Sequence, residues 1–403
     1  MNPLQSFRQN PALSLYIHFP WCVKKCPYCD FNSHEVSANF NEDSYVDALL
    51  LDLEEDLPLI WGRPIQTIFM GGGTPSLFSA KAIDRLLSEI RARVQLQPNA
   101  EITLEANPGT TEAANFQGYR DAGINRLSLG VQSFNDEALQ KLGRIHDSKQ
   151  AIKAFQQARD AGFKRINLDL MHGLPGQTLA MALDDLKTAT DLKPEHLSWY
   201  QLTLEPNTLF YSKPPILPEE DLQFEIFEAG IKHLYSNDFN RYEVSAFAQQ
   251  GEASAHNMNY WSFGDYLGIG AGAHSKITHV PNEKILRRQK TRQPDTYLNP
   301  KKPFLASELA ISIDELPLEF MMNALRLCDG VEEHLFNINT GLPNQLLNDA
   351  INKAVSQQLM VNWPERIQPS AQGLLFLNDT LELFFSNNFP QLKNTNQITI
   401  TQL

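Results

Sequence analysis

The chain has 403 residues, 42% hydrophobic and 20% charged, an ordinary globular balance with length for roughly two to three domains. Lys+Arg 34 against Asp+Glu 47 leaves a net charge of −13, which argues against a general binder of nucleic-acid phosphates. No apolar run reaches the roughly 18 residues of a spanning helix, and the N-terminus lacks the cationic head and apolar stretch of a secretory leader.

Through the first two-thirds, strand and helix signals alternate. Branched apolar runs at 13–18, 66–70, 101–105, 126–131, 165–171 and 197–204 read as strands. Segments of helical periodicity separate them at 44–57, 80–94, 111–122, 149–161 and 179–192. Six such units predict an α/β fold, a partial or complete (β/α) barrel spanning 1–246, with a further helix at 222–235 and a strand at 242–246. The strands run into HFPWC, GGGTP, EANPG, GVQSF, MHGLPG and TLEPN, at the carboxyl ends where such folds place their sites. Residues 247–304 read as loops that cap and connect, carrying HNMNYW, FGDYLGIGAGAHS and the basic ILRRQKTRQ. From 305 to 385 a small, mainly helical domain is expected, a winged helix being one form. Its helices are at 318–327, 331–338 and 343–358, and alternating segments at 359–363 and 373–384. Residues 386–403, rich in Asn and Gln, read as a flexible tail.

Three of the four cysteines, Cys22, Cys26 and Cys29, fall within eight residues, and Cys328 stands far away. That is no secreted disulfide framework, so the expected compartment is the cytoplasm. Pro20 and Pro27 oppose a helix, so the three thiols belong to a loop after the first strand. Structural zinc takes four ligands, and no second pair is present. A [4Fe–4S] cluster held by three thiolates keeps one iron open for a ligand, the alternative being three ordinary buried thiols. Glycines 71–73 after the second strand let a backbone approach a ligand closely, or merely make a tight turn. Glu105, Gln132, Arg144 and Asp169 stand at or just beyond strand ends. Singly each reads as a salt-bridge or hydrogen-bond partner. Together they suit a polar ligand, a carboxylate holding ribose hydroxyls and Arg144 pairing with a carboxylate.

The C-x3-C-x-Tyr-C string, with Tyr28 in the aromatic position, resembles the radical S-adenosylmethionine (SAM) enzymes. The resemblance implies that SAM chelates the open iron of the cluster and, on reduction, yields methionine and a 5′-deoxyadenosyl radical. LYIHFPWC, CPYCDFNSH, IFMGGGTPS, EANPG, GVQSF, GRIH, DLMHGLPGQ and SWYQLTLEPNT are together similar to the oxygen-independent coproporphyrinogen oxidase branch, over about 13–385. Carried over by position, Cys22, Cys26 and Cys29 are cluster ligands. Tyr16, Gly72 and Glu105 contact the cluster-bound SAM, with Tyr28 close by. Gly73, Thr74, Gln132, Arg144 and Asp169 align with residues that contact a second SAM in the oxidase.

Two departures point away from that oxidase: Phe31 stands where it carries a further cysteine, and Cys22 lies nearer the start of the chain. His256-Asn257-Met258-Asn259-Tyr260-Trp261 instead matches the HNxxYW motif of the HemW family, regarded as haem chaperones. The resemblance implies haem as cargo, with His256 as axial ligand and Tyr260 and Trp261 against the porphyrin. His274 is the rival ligand and also aligns near the SAM site. It further implies haem-accepting partner proteins, respiratory ones among them by analogy, and an electron donor if SAM is cleaved. The expected protein is a monomer or homodimer with no integral membrane segment, any membrane contact being peripheral. Two enzymatic alternatives are a coproporphyrinogen III dehydrogenase and another tetrapyrrole-modifying radical SAM enzyme.

Overall fold

In the first strand, Leu13, Leu15, Ile17 and Phe19 alternate with Ser14, Tyr16 and His18. The apolar set joins the main core beneath the helices, and the polar set faces the inside of the fold, the two-residue period of a strand turned into two environments. The computed structural model describes residues 6–7, 9–36, 40–109, 114–362 and 365–393.

Twelve strands form one sheet: β1 Leu13–Phe19, β2 Ile65–Gly72, β3 Leu96–Ala106, β4 Arg126–Gln132, β5 Ile166–His172, β6 His196–Gln201, β7 Asn240–Glu243, β8 Ala246–Ala248, β9 Asp265–Ile269, β10 His274–His279, β11 Lys284–Lys290 and β12 Leu305–Ala310. Their spatial order is β12-β11-β10-β9-β1-β2-β3-β4-β5-β6-β8-β7. The stretch from β9 through β6 is parallel, and both flanks are antiparallel. The two end strands do not pair, so this is a partial barrel, not a closed one. The predicted helices lie at Glu42–Ile60 (α1), Ala80–Arg93, Phe116–Ala122, Ser148–Asp160, Leu179–Asp191 and Glu220–Tyr235. The start of the one expected at 111–122 falls partly outside the described residues. Side-chain caps fix several starts: Asn41 accepts from the Ser44 amide, Ser79 from Ala82, Thr178 from Met181, and Asp147 with Gln150 closes a capping box.

The structure corrects the reading of 247–304 as capping loops. That segment holds a helix, Ala255–Trp261 (α2), and the strands β9, β10 and β11. Glycines thin the apolar signal of β9, and the basic run that forms β11 buries charges instead of apolar groups. Arg288 and Lys290 reach Asp56 at 2.6 and 2.7 Å, and Tyr297 donates to Asp52 at 2.6 Å. Paired in this way, buried cations can hold a strand against α1 without any hydrophobic alternation. Residues 305–310 likewise form an edge strand of the large sheet rather than the start of the helical domain.

Beyond β12 a second core gathers Phe320, Phe336, Leu347 and Ile367 and borrows Ile285 from β11 and Phe263 from the turn before β9. Helices Leu316–Ala324, His334–Thr340 and Asn348–Ser356 surround it, with a two-strand ladder of Val331–Glu332 and Arg366–Ile367. The alternating segment expected at 373–384 is instead two short helices, Ala371–Leu375 and Leu377–Glu382. The one at 359–363 contributes only a bridge, Met360 to Pro369, and Trp363 lies outside the described residues. The tail is not loose as far as it is described, because Phe389 and Leu392 are buried in the second core.

Candidate functional site

The cysteine loop leaves β1 through Trp21–Cys22 and returns through His34–Glu35, which pair in parallel. Between them Cys26 and Cys29 form a turn, the Cys29 amide donating to Cys26 O at 3.2 Å. Lys25 ties the loop together by donating to the carbonyls of Phe31 and Ser33, both at 3.2 Å. Asn32 fastens it to the sheet flank through Nδ2, which donates to Ala271 O and Arg292 O, both at 2.9 Å. All three cysteines are free thiols and all three line one cavity of about 530 Å3. Burial pushes the thiols of Cys22 and Cys29 up, and the neighbouring cysteines add to it.

Among the described residues no three His, Cys, Asp or Glu converge tightly enough for a single metal ion. A cubane asks for something else: each iron takes one thiolate, so the sulfurs must be spread around a space. Arg144 supplies the matching charge, its Nη1 lying 3.6 Å from the Cys26 sulfur. The donor set therefore fits a three-thiolate iron–sulfur cluster.

The glycine segment at the end of β2 closes the wall beside the loop. Gly72 has φ +113°, and a Cβ there would sit 2.4 Å from the His18 ring. A Cβ on Gly73 would sit 2.5 Å from Trp21 O, so only glycine lets β2 approach the cysteine loop this closely. Beyond the glycines, Asn107 Nδ2 donates to Thr74 Oγ1 at 3.0 Å, and Arg144 Nη2 donates to Asn107 Oδ1 at 2.6 Å and Gly130 O at 2.7 Å. Tyr200 donates to Gln132 Oε1 at 2.7 Å. Gln132 itself has φ +71°, backbone strain for a non-glycine residue held at the end of β4.

Two carboxyls face the same space. Glu105 accepts from the Gly72 amide at 3.1 Å, and Asp169 accepts from Ser128 at 3.0 Å and Asn167 at 2.7 Å. Burial, with Asp169 nearby, pushes Glu105 up to about 8, and burial raises Asp169 as well. A cavity with two desolvated acids on its wall favours a cationic ligand, which would return both to their charged forms.

Of the residues singled out from sequence, Cys22, Cys26, Cys29, Tyr28, Gly72, Gly73, Thr74, Glu105, Gln132, Arg144 and Asp169 all border this cavity. Tyr16 does not. Its hydroxyl donates to His18 Nδ1 at 2.9 Å, and the His18 ring packs under Gly72, so Tyr16 stands one layer behind. His256 is also set apart. It is only 1% exposed, its Nδ1 pairs with Thr67 Oγ1 at 2.7 Å and its Nε2 with the Tyr260 hydroxyl at 3.2 Å. It stacks on Phe69 at 5.1 Å. Both ring nitrogens are thus engaged inside the fold, which leaves no lone pair turned to the cavity. His274 is exposed at the start of β10, also off the cavity wall.

Sequence reasoning missed Asn107, Tyr200 and Asn257 on this wall, and it assigned Trp261, which also lines it, to the porphyrin instead. The last two belong to HNxxYW. On a helix, positions four apart share a face, so Asn257 and Trp261 reach the cavity while His256 and Tyr260 turn into the fold. That separation was available from the motif once it was placed on a helix.

Comparison with known proteins gives the radical SAM superfamily as the family matching residues 16–189. The "Heme chaperone HemW" of Escherichia coli (strain K12) is 49% identical over 93% of this chain and 99% of its own length. That of Haemophilus influenzae is 50% identical over 93% and 98%. Among solved structures, coproporphyrinogen III oxidase (HemN) from Escherichia coli, described as a radical SAM enzyme, is similar with a TM-score of 0.77. It is 25% identical and the match covers 93% of this chain and 90% of that one.

Proposed function

This chain belongs to the HemW family of radical SAM proteins, and from that membership we propose that it is a haem chaperone, binding haem and handing it to acceptor proteins. The observation that carries the reading is near-full-length identity of about half to two proteins of that name, across both the barrel and the C-terminal domain.

Cys22, Cys26 and Cys29 would hold a [4Fe–4S] cluster, with SAM completing its open iron; reduced, such a cluster supplies an electron to SAM. The chain's own part is orientation. Glu105 and Asp169 present negative charge to the cationic end of SAM, and Arg144, fixed by Asn107 and Gly130, can pair with its carboxylate. Gly72, Gly73 and Thr74 offer backbone and hydroxyl groups at close range, while Tyr28, Gln132 and Tyr16 support the wall. Occupation of this cavity orders the cysteine loop, and through it regulates haem transfer.

The oxidase reading is less favoured. Phe31, in the position of the oxidase's further cysteine, is 60% exposed at the cavity rim. Haem-accepting proteins, respiratory ones included, are the proposed partners, and the cytoplasm is the proposed compartment. Among the described residues no helix is long and apolar enough to cross a membrane.

The test is a pair of assays on cluster-reconstituted protein under anaerobic conditions. Haem should bind saturably at one per chain and move to a haem-depleted acceptor. Coproporphyrinogen III with SAM and a reductant should remain unchanged. Protoporphyrinogen formation without haem binding would replace this reading with the enzymatic one.

A further inference from the structure

The antiparallel flank has two faces, set by its register. Tyr266 lies opposite Lys276, Lys276 opposite Arg287, and Arg287 opposite Leu309. The neighbouring row on the same face runs His274, Gln289, Ser307. Alternate residues point the other way, and that other face is covered: Arg288 and Lys290 are pinned to Asp56 of α1. On the face of His274, Lys276 is buried and bonded to Phe263 O and Asp265, and the outer part of the face is open. His274 and Ser307 are exposed and Leu309 is 70% exposed. Among the described residues the His274 ring makes no side-chain hydrogen bond, in contrast to His256 with both nitrogens engaged.

Resting on the haem-chaperone reading, we propose that haem docks on this open face, with His274 as the axial ligand of its iron and Arg287 and Arg292 as partners of its propionates. Haem is an apolar disc with two carboxylates at one edge. Leu309 supplies apolar contact, and Tyr266, packed edge-on against Tyr260 at 4.6 Å, backs the face. Arg287 stands diagonal to His274 across the strand pair, within reach of a long side chain. It also contacts Glu319 and the Tyr266 hydroxyl, which hold its guanidinium on this face. Arg292 is exposed just past β11, and its carbonyl accepts from Asn32 of the cysteine loop. A crevice of about 250 Å3 beside Tyr266 and Arg287 is lined also by Tyr260 and Trp261, so the aromatic pair of HNxxYW borders this surface.

Two further points favour the flank over the main cavity. The cavity of about 530 Å3 is walled by the thiols and polar groups assigned to cluster and SAM, and a single cofactor-sized ligand fills a space of that order. The iron also needs a neutral imidazole. The half of the ring turned to the sheet is desolvated and the cationic Arg287 and Arg292 stand nearby, which together hold His274 below its ordinary value and keep the ring neutral at physiological pH.

The experiment is an anaerobic haem titration of the full chain with its cluster, followed in the Soret region and by electron paramagnetic resonance. His274→Ala should weaken haem binding at least tenfold and abolish the imidazole-ligated signature. His274→Met should restore binding with a shifted Soret band, which a merely structural role for His274 would not produce. His256→Gln, which keeps a partner for Thr67, should retain the wild-type spectrum. Haem dimethyl ester, with both propionates capped, should bind wild type more weakly, and Arg292→Gln should then cost nothing further. Wild-type affinity and spectrum in His274→Ala would overturn the assignment while leaving the chaperone reading intact. Absence of haem binding by wild type would overturn both.

Discussion

Replacing Glu105 by Gln should stabilise the ligand-free protein and weaken its hold on SAM. The carboxyl is buried at the end of β3, among the described residues accepts from the Gly72 amide alone, and is raised from 4.5 to about 8 by burial and by Asp169. The folded chain thus binds this proton more tightly than the unfolded chain does. Stability therefore falls as pH rises from 4.5 and levels off only above about 8. At ~1.4 kcal/mol per pH unit, the loss amounts to about 3 kcal/mol between pH 4.5 and pH 7. Gln has no proton to lose, and its amide oxygen can still accept from Gly72. Its advantage over wild type should grow by about that amount across the same window. Unfolding of both ligand-free proteins at pH 5, 6, 7 and 8 measures it. Calorimetric titration of cluster-loaded protein with SAM, in buffers of different ionisation enthalpy, measures the other half. Wild type should release about one proton more than the variant on binding near pH 7, and the variant should bind at least tenfold more weakly. Parallel stability profiles for the two proteins would refute the argument that desolvation governs this carboxyl.

Cys22→Ala should leave no [4Fe–4S] spectrum after anaerobic reconstitution, and retained iron and sulfide at wild-type levels would contradict the ligand assignment. Gly72→Ala forces a Cβ against the His18 ring at φ +113° and should cost about 1–3 kcal/mol of stability, together with cluster retention, as read by thermal unfolding and the cluster's visible absorption. His256→Ala removes two buried hydrogen bonds, about 1 kcal/mol each, and empties the space under Phe69. A loss of about 3 kcal/mol in denaturant unfolding is expected, and unchanged stability would show that the ring is not part of the core. Lys290→Met strips a buried cation from Asp52 and Asp56 and should destabilise by about 3 kcal/mol in the same measurement.

The parallel part of the sheet and the cavity's upper wall were legible because their signals are local. A strand such as 13–19 declares itself by alternation, and three cysteines in eight residues declare a shared ligand. The flank from β9 to β12 was not legible, because its buried positions carry Arg288, Lys290 and Asp265, whose partners Asp56 and Arg63 lie far away in the chain, and Lys276, which pairs with Asp265 on the neighbouring strand. Sequence windows see such residues as polar and exposed. Asn107 and Tyr200 were missed for a related reason: each is an unremarkable polar residue until the sheet brings strand ends together. HNxxYW shows the limit most clearly. As a string it offers four chemically attractive side chains to one ligand. As a helix it sends His256 and Tyr260 into the fold and Asn257 and Trp261 toward the cavity.

The claim that this chain carries haem is tested most directly by titrating the reconstituted protein with haem under anaerobic conditions and then adding a haem-depleted acceptor. The account predicts saturable binding of one haem per chain, and a Soret band that moves to that of the acceptor more quickly than free haem reaches it. No saturable binding, or haem that stays put when the acceptor is added, would contradict it.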